Sequence, residues 1–397
     1  MAEVTAVVEE LWIFPVKGCR GLKVPSARLT PTGLEFDRCW CIVDVNGTST
    51  PAGEAISKRK MPALAKICTE LSHDLSQLQL TAPGMEALRI PTAVEAYKEE
   101  EQYRVECSGK STTTGGGWSL GFITGYRSAA GTKWINEYLN RPDLMEGSEI
   151  LCSGKAKKSS YALIRAPQAG MALSSYPPIF PVLEKAKTDA EYAMRLANNS
   201  KYFSDFAPLL LTSRASAQAL TAECGGERAY PLVSFRGNII VSSQNLEPWV
   251  EESWASLEVV SKSSGDAILL RQIKPCPRCV VPCRDEATGD FIFPKEPMKL
   301  WHVLKQLFPD KFADAEWGTW AGGFFGVYFG HAAQDGVISV GDSIKVRSTR
   351  PWDAHVRRAH WKVRMLCWLA PATGVAAVAL LTALFSKQRQ LMPQQRK

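Results

Sequence analysis

Lys274-Pro275-Cys276-Pro277-Arg278-Cys279 is the stretch on which the reading of this chain turns. It sets two cysteines and an arginine in a proline-stiffened loop shortly after the apolar run Ala267-Ile268-Leu269-Leu270. A thiolate held by a stiff loop beside a fixed positive charge is a good soft metal ligand and a poor structural disulfide. At the other end of the chain, Pro15-Val16-Lys17-Gly18-Cys19-Arg20-Gly21 offers a lysine and an arginine in a second turn-rich loop. Together the two stretches point to a thiolate-bound metal whose anionic cofactor is gripped by basic residues from both ends.

The chain has 397 residues, more than one hydrophobic core usually serves, so two domains or one large composite are expected. Hydrophobic residues at 45% and charged residues at 22% describe a globular protein rather than a disordered one. Part of the net charge of +7 sits in a C-terminal flank around Arg357, Arg358, Lys362, Arg364, Lys387, Arg389, Arg396 and Lys397. The body has no basic stripe with interleaved aromatics, and no nucleic-acid partner is expected. Eleven cysteines follow no repeating frame, and Met1-Ala2-Glu3-Val4 opens no secretory leader. Cytosolic synthesis with reduced thiols is the reading, with Cys41, Cys68 and Cys224 as small core or surface residues.

From Met365 to Ser386 no residue is charged, and both flanks are basic. As a helix this run spans roughly 33 Å, the thickness of a hydrocarbon core. It reads as a C-terminal transmembrane anchor, with residues 1 to about 360 facing the cytosol. Its modest, alanine-rich hydrophobicity favours the mitochondrial outer membrane over the endoplasmic reticulum.

The first 115 residues read as β-rich, with strands at Trp12-Ile13-Phe14, Arg28-Leu29-Thr30, Cys39 to Val43 and Gln77 to Thr81. Turns fall at Pro31-Thr32-Gly33 and Asn46-Gly47, and a glycine-rich linker at Ser111 to Gly117. Residues 116–200 read as a helical connection and insertion, with a helix at Thr132 to Leu139 and a loosely packed insertion made of Leu173 to Pro181 and the charged run Glu184 to Asn199. A second helix, Ser213 to Thr221, has Ser213 as N-cap and stops at Gly225-Gly226. Strands return at Asn238 to Val241, Leu257 to Val260, Ala267 to Leu270, Gly326 to Phe329 and Ser343 to Val346. Short strands at even spacing argue for a barrel over a βαβ sheet. The fold expected is mixed α+β and β-rich: a barrel-like domain over 1–115, a catalytic barrel over 201–348 and an anchor over 365–386.

Six short motifs in order resemble the MOSC-domain molybdenum proteins, and within them the mitochondrial amidoxime reducing components. They are Pro15 to Cys19, Gly33 to Trp40, Ser204-Asp205-Phe206-Ala207-Pro208, Ser234-Phe235-Arg236-Gly237-Asn238, Cys276-Pro277-Arg278-Cys279 and Phe325 to Phe329. The resemblance implies a molybdenum–molybdopterin cofactor with Cys279 as metal ligand and catalytic residue. It implies charge from Lys17, Arg38 and Arg236 on the phosphate-bearing pterin, with Arg278 easing deprotonation of Cys279. By the same resemblance Ser204 and catalytic Asp205 lie near the metal and pterin, and Asn238 bonds the cofactor or holds its loop. Gly18 and Pro277 stand where the family usually has serine, so backbone amides are expected to serve there. The implied reaction reduces N-hydroxylated compounds such as amidoximes, with electrons from a cytochrome b5-like donor and its NADH-dependent reductase.

Three rival readings compete. Cys276, Cys279 and Cys283 have the spacing of a zinc or iron–sulfur site, but a second cysteine pair is missing and the five histidines do not cluster. The second is a molybdenum cofactor carrier or sulfur-transfer protein, similar to the C-terminal domain of cofactor sulfurases, a family that adds a pyridoxal-phosphate domain. The third is a non-catalytic membrane protein that retains the fold, a reading supported by the two serines replaced at Gly18 and Pro277.

Overall fold

The computed structural model describes residues 5–45, 53–110, 117–145, 160–176, 199–226, 230–307, 312–314, 318–320, 323–331 and 335–349. The expected anchor at 365–386, the Asn46-Gly47 turn and most of the expected loose insertion lie outside the described residues. The described start of that insertion is not loose, because Leu173 and Tyr176 of its helical turn are buried in the apolar core. Among the described residues no helix is long and apolar enough to cross a membrane.

Strand β1 (Thr5–Ile13) points Ala6 and Val8 inward, then Leu11 and Ile13. A bulge between Val8 and Glu10 inserts the extra residue that restores the inward phase. β2 (Leu22–Val24) pairs with the end of β1. Strands β3 (Trp40–Asp44), β4 (Gly53–Ala55), β5 (Gln102–Lys110), β6 (Gly117–Ser128) and β7 (Tyr161–Arg165) close a small barrel in the order β5-β6-β7-β3-β4. β3 and β7 are apolar along nearly their whole length because both faces are covered. Cys41, Val43, Ala162 and Ile164 face the barrel interior, while Trp40, Ile42, Tyr161 and Leu163 pack beneath helix α1 (Ala129–Leu139). α1 begins three residues earlier than its periodicity predicts, because β6 runs straight into its N-cap, Ser128, whose hydroxyl accepts from Gly131 N.

Downstream, β8 (Leu209–Ser213) leads into α2 (Arg214–Glu223), capped by Ser213 as expected. β9 (Ile239–Ser242) then lies parallel to β8, so one βαβ crossover sits inside an otherwise antiparallel sheet. β10 (Trp254–Val260), β11 (Ala267–Pro277), β12 (Phe324–His331) and β13 (Ser343–Thr349) complete the order β9-β8-β12-β11-β10-β13-β1. β1 pairs with β13 through Thr5–Val7 and with β9 through Val7–Leu11, which turns the sheet into a closed ring. Leu11, Leu211, Ile239, Trp254, Leu257 and Phe329 fill it, and each large side chain so buried contributes about 1.5–3 kcal/mol.

β11 corrects the reading of the Cys276 region as a loop. The strand continues past the expected Leu270 to Pro277, with bulges at Gln272/Lys274 and Pro275/Pro277. Prolines are tolerated there because a bulge frees the backbone position that lacks an N–H. Cys276 is therefore on strand, and only Arg278 and Cys279 project beyond its end.

Behind the ring, the short helical turn Val250–Ser253 buries Glu251 against the first turn of α2. Ser216 Oγ contacts Glu251 Oε1 at 2.7 Å and Oε2 at 2.9 Å, and accepts from Trp249 N at 2.7 Å. Burial pushes the Glu251 carboxyl up from 4.5 to about 7, against the downward pull of the Ser216 hydroxyl. The folded state therefore holds this proton more tightly than the unfolded chain does. Stability should be full below pH 4.5 and fall as pH rises towards 7, by on the order of 3 kcal/mol. Glu251→Gln should flatten the urea midpoint between pH 5 and 7; an unchanged slope in the variant would rule out Glu251 as the group responsible.

Candidate active site

A cleft enclosing about 610 Å³, its open mouth included, lies where the end of β11 meets the segment after β1 and the loop before β8. Lys17, Arg38, Ser204, Asp205, Arg236, Asn238, Pro277, Arg278 and Cys279 all line it. Gly18 does not. Its φ of +87° demands glycine, and a Cβ there would meet Leu64 at 2.9 Å and the Ile56 carbonyl at 3.4 Å. A side chain at position 18 would thus point into packed protein, away from the cleft.

Phe14 organises the basic wall. Its ring centroid is 4.4 Å from the Arg38 guanidinium carbon and 4.1 Å from that of Arg236. Arg38 Nη1 donates to both Asp37 carboxylate oxygens at 2.6 Å, and Asp37 also accepts from Phe14 N at 2.9 Å. Arg38 Nη2 donates to the Arg236 carbonyl at 2.9 Å, tying the N-terminal segment to the loop before β9. Both arginines adopt left-handed backbone, φ 51° and 59°, a conformation unusual for a non-glycine residue. Arg236 Nη1 donates to the Cys19 carbonyl at 2.8 Å and to Glu286 at 2.6 Å, and Glu286 also binds the buried Lys58 ammonium.

The opposite rim is the 203–205 loop. Lys17 donates to the Phe203 carbonyl at 2.9 Å and pairs with Asp205, while buried Lys201 donates to the Ser204 carbonyl at 2.6 Å. The Lys17 ammonium holds the Asp205 carboxyl well below the usual carboxylate range. The Asp205 side chain remains 76% exposed, so a carboxylate stands at the mouth.

At the floor, Arg278 donates to Cys276 Sγ at 2.8 Å and to the Phe235 carbonyl at 2.8 Å, and its backbone N to the Gly323 carbonyl at 2.7 Å. These bonds fix the loop that presents Cys279. Burial raises the Cys279 thiol above its ordinary pKa of 9.0, and the Arg278 guanidinium works against that rise. Asn238 is occupied by the fold. Its side chain donates to the Trp12 carbonyl at 3.2 Å and accepts from Leu210 N at 3.1 Å, which joins β1 to β8. Cys276 and Cys283 are buried, and among the described residues no group of three His, Cys, Asp or Glu side chains could hold a metal ion. The zinc and iron–sulfur readings lack their ligands there.

The donor set fits a phosphate-bearing, anionic group with its own metal ligands. Ser204 Oγ, Arg236 Nη2 and Arg278 Nε line or back the cleft, buried and without a partner among the described residues. Among the described residues, the cations on or behind the cleft wall are Lys17, Arg38, Lys58, Lys201, Arg236 and Arg278, and the acids that form ion pairs with them are three, Asp37, Asp205 and Glu286. Asp285 acts on Lys58 from farther off. Phe14, Asp37, Lys58, Lys201, Glu286 and Tyr328 were not singled out in the sequence. Asp37 lies inside a quoted motif, but the sequence carries no cue that separates Lys58 or Lys201 from surface lysines.

The MOSC N-terminal beta barrel domain family matches residues 5–142, and the MOSC domain family matches residues 198–345. The chain is a MOSC-domain protein. It is 24% identical over 341 residues to mitochondrial amidoxime reducing component 2 of Bos taurus, covering 85% of this chain and 82% of that one. Mitochondrial amidoxime-reducing component 1 of Homo sapiens is 24% identical over 344 residues, with the same coverage. Molybdenum cofactor sulfurase of Aspergillus niger is 24% identical over 306 residues, 71% of this chain but 35% of the sulfurase. The chain thus spans about a third of the length of the sulfurases it matches. A solved structure, the YUAD protein from Bacillus subtilis, aligns with 88% of this chain and 98% of its own at 10% identity, with a TM-score of 0.33.

Asp37 is nearly fully buried and bridges Phe14 to Arg38, so removing its charge leaves the guanidinium inside without its counter-charge. Asp37→Asn should lower stability by about 3 kcal/mol, read as a shift in the denaturant midpoint. A shift below about 1 kcal/mol would show that Phe14 and the Arg236 carbonyl hold Arg38 without Asp37.

Proposed function

We propose that the chain is a molybdenum cofactor-dependent oxidoreductase that reduces N-hydroxylated compounds of the amidoxime type. Electrons come from a cytochrome b5-like protein and its NADH-dependent reductase. The observation that carries this reading is the convergence of Cys279 with Lys17, Arg38, Arg236 and Arg278, against the one acid Asp205, among the described residues that line one cleft. The likeness over 82% of an amidoxime reducing component supports it.

When bound, the cofactor would supply two-electron redox chemistry, the overall change being an N–OH compound plus two electrons and two protons to the N–H compound and water. The chain supplies the rest. The Cys279 thiolate, exposed to the cleft, is the protein's metal ligand, held in place by the three bonds of Arg278. Arg38 and Arg236 give planar, charge-assisted donors to phosphate, and Ser204 a hydroxyl. Asp205 presents a carboxylate at the mouth, where it accepts hydrogen bonds from the N–OH or NH₂ groups of an amidoxime. Residues 365–386 tether the chain to the mitochondrial outer membrane, with the cleft facing the cytosol.

A second reading, a cofactor carrier or sulfur-transfer protein, is favoured by the sulfurase match over 71% of this chain. One experiment separates the two: measure molybdenum and released pterin in the purified chain, then reduction of benzamidoxime with added cytochrome b5 and its reductase. Cofactor without turnover would leave the carrier.

Cys279→Ala should abolish turnover and molybdenum content with little change in thermal stability, whereas Cys276→Ala should keep most of both. Equal losses in the two variants would sink Cys279 as sole protein ligand. Arg38→Ala and Arg236→Ala should lower pterin content at least tenfold, the loss of a contact of roughly 1.5–3 kcal/mol. Full loading in both would remove them from the pocket. Deleting residues 365–397 should move the chain from the membrane to the supernatant fraction, and retention in the membrane would overturn the tether.

A further inference from the structure

Glu286 and Lys58 lie behind the cleft wall and neither lines it. The Lys58 side chain is 0% exposed, that of Glu286 6% and that of Arg236 12%. One carboxylate is shared between two cations: Glu286 Oε2 pairs with the Lys58 ammonium and Oε1 with Arg236 Nη1 at 2.6 Å. Arg236 Nη1 also donates to the Cys19 carbonyl at 2.8 Å, and the guanidinium rests on Phe14. Its Nη2 is buried and without a partner among the described residues. The neighbouring pairs Asp37–Arg38 and Lys17–Asp205 balance themselves.

Among the described residues, these two buried cations share one hydrogen-bonded carboxylate, with Asp285 and Asp205 acting on them only from farther off. The positive charge left over is costly unless an anion meets it. We propose that Glu286 and Lys58 are positioning residues that set Arg236 as an oxyanion receptor. Glu286 fixes the guanidinium through Nη1, which leaves Nη2 for the ligand, and Lys58 keeps the triad net positive so that the ligand's phosphate is the missing counter-charge. This rests on the cleft taking a phosphate-bearing cofactor, but its test needs neither molybdenum nor turnover.

The two residues act in opposite directions on the same quantity. Removing the charge of Glu286 raises the field on a bound anion, and removing that of Lys58 lowers it. A group that merely braces the fold would weaken anion binding in both cases.

The test uses the full-length chain made without molybdopterin, melted with increasing inorganic pyrophosphate at constant ionic strength. The wild type should gain thermal stability with pyrophosphate. Glu286→Gln should melt lower without pyrophosphate yet bind it about tenfold tighter, and Lys58→Gln should bind it about tenfold more weakly. Arg236→Gln should lose the response. If Glu286→Gln does not fold, the Lys58→Gln and Arg236→Gln responses alone decide. Equal or weaker binding in Glu286→Gln, unchanged binding in Lys58→Gln, or a retained response in Arg236→Gln overturns the proposal. A wild type that loads molybdenum, together with variants that do not follow this sign pattern, would refute this inference alone. The expected sign pattern in a chain that never carries molybdenum would refute the proposed function alone.

Discussion

Everything at the cleft depends on β1 lying between β9 and β13. That strand begins at residue 5, yet its partners lie around residues 239–242 and 343–345. Its hydrogen bonds on both edges close the ring and leave no open edge there. They also deliver Phe14 and Lys17, which follow β1 directly, to the end of β11, and Phe14 in turn holds Arg38 there through its carbonyl and ring. Pairing over more than 200 residues carries a loop-closure cost that local contacts cannot offset. The buried Leu11, Ile239 and Trp254 supply the compensating apolar area.

The small barrel and the ring share interior. Cys41, Val43 and Ile164 of the barrel belong to the same apolar cluster as Phe206, Leu210, Cys276 and Tyr328. Movement of the barrel would therefore disturb the strand end that carries the Cys279 loop. Lys58, which follows the small-barrel strand β4, reaches across to Glu286 for the same reason. Groups from both halves are each other's counter-charges behind the cleft, and a low-dielectric interior makes such pairs hard to separate.

Charge explains why an anionic ligand suits the cleft better than a neutral one. Three self-limiting contacts, Asp37 to Arg38, Asp205 to Lys17 and Glu286 to Arg236 with Lys58, hold the cations in place. Lys201 and Arg278 are held by carbonyls and a thiol. Removing any of the acids would make the wall more basic but less ordered.

The sequence by itself determined the β-rich class, the Ser213 cap and the order of the motifs that carry the family. Alternating apolar residues and a hydroxyl before a helix are local signals, and local signals survive without a partner. It also named nine residues that do converge in the cleft, because motif spacing records which side chains must meet. Only the tertiary structure decided what each does. It gave Asn238 to the strands, turned Gly18 away and put Cys276 on a bulged strand, since hydrogen-bond partners from residues 12, 210 and 327 cannot be read locally. Lys58, Lys201 and Glu286 were invisible for a plainer reason. A lysine or glutamate is a surface residue by default, and only long-range packing removes it from water and makes its partner matter.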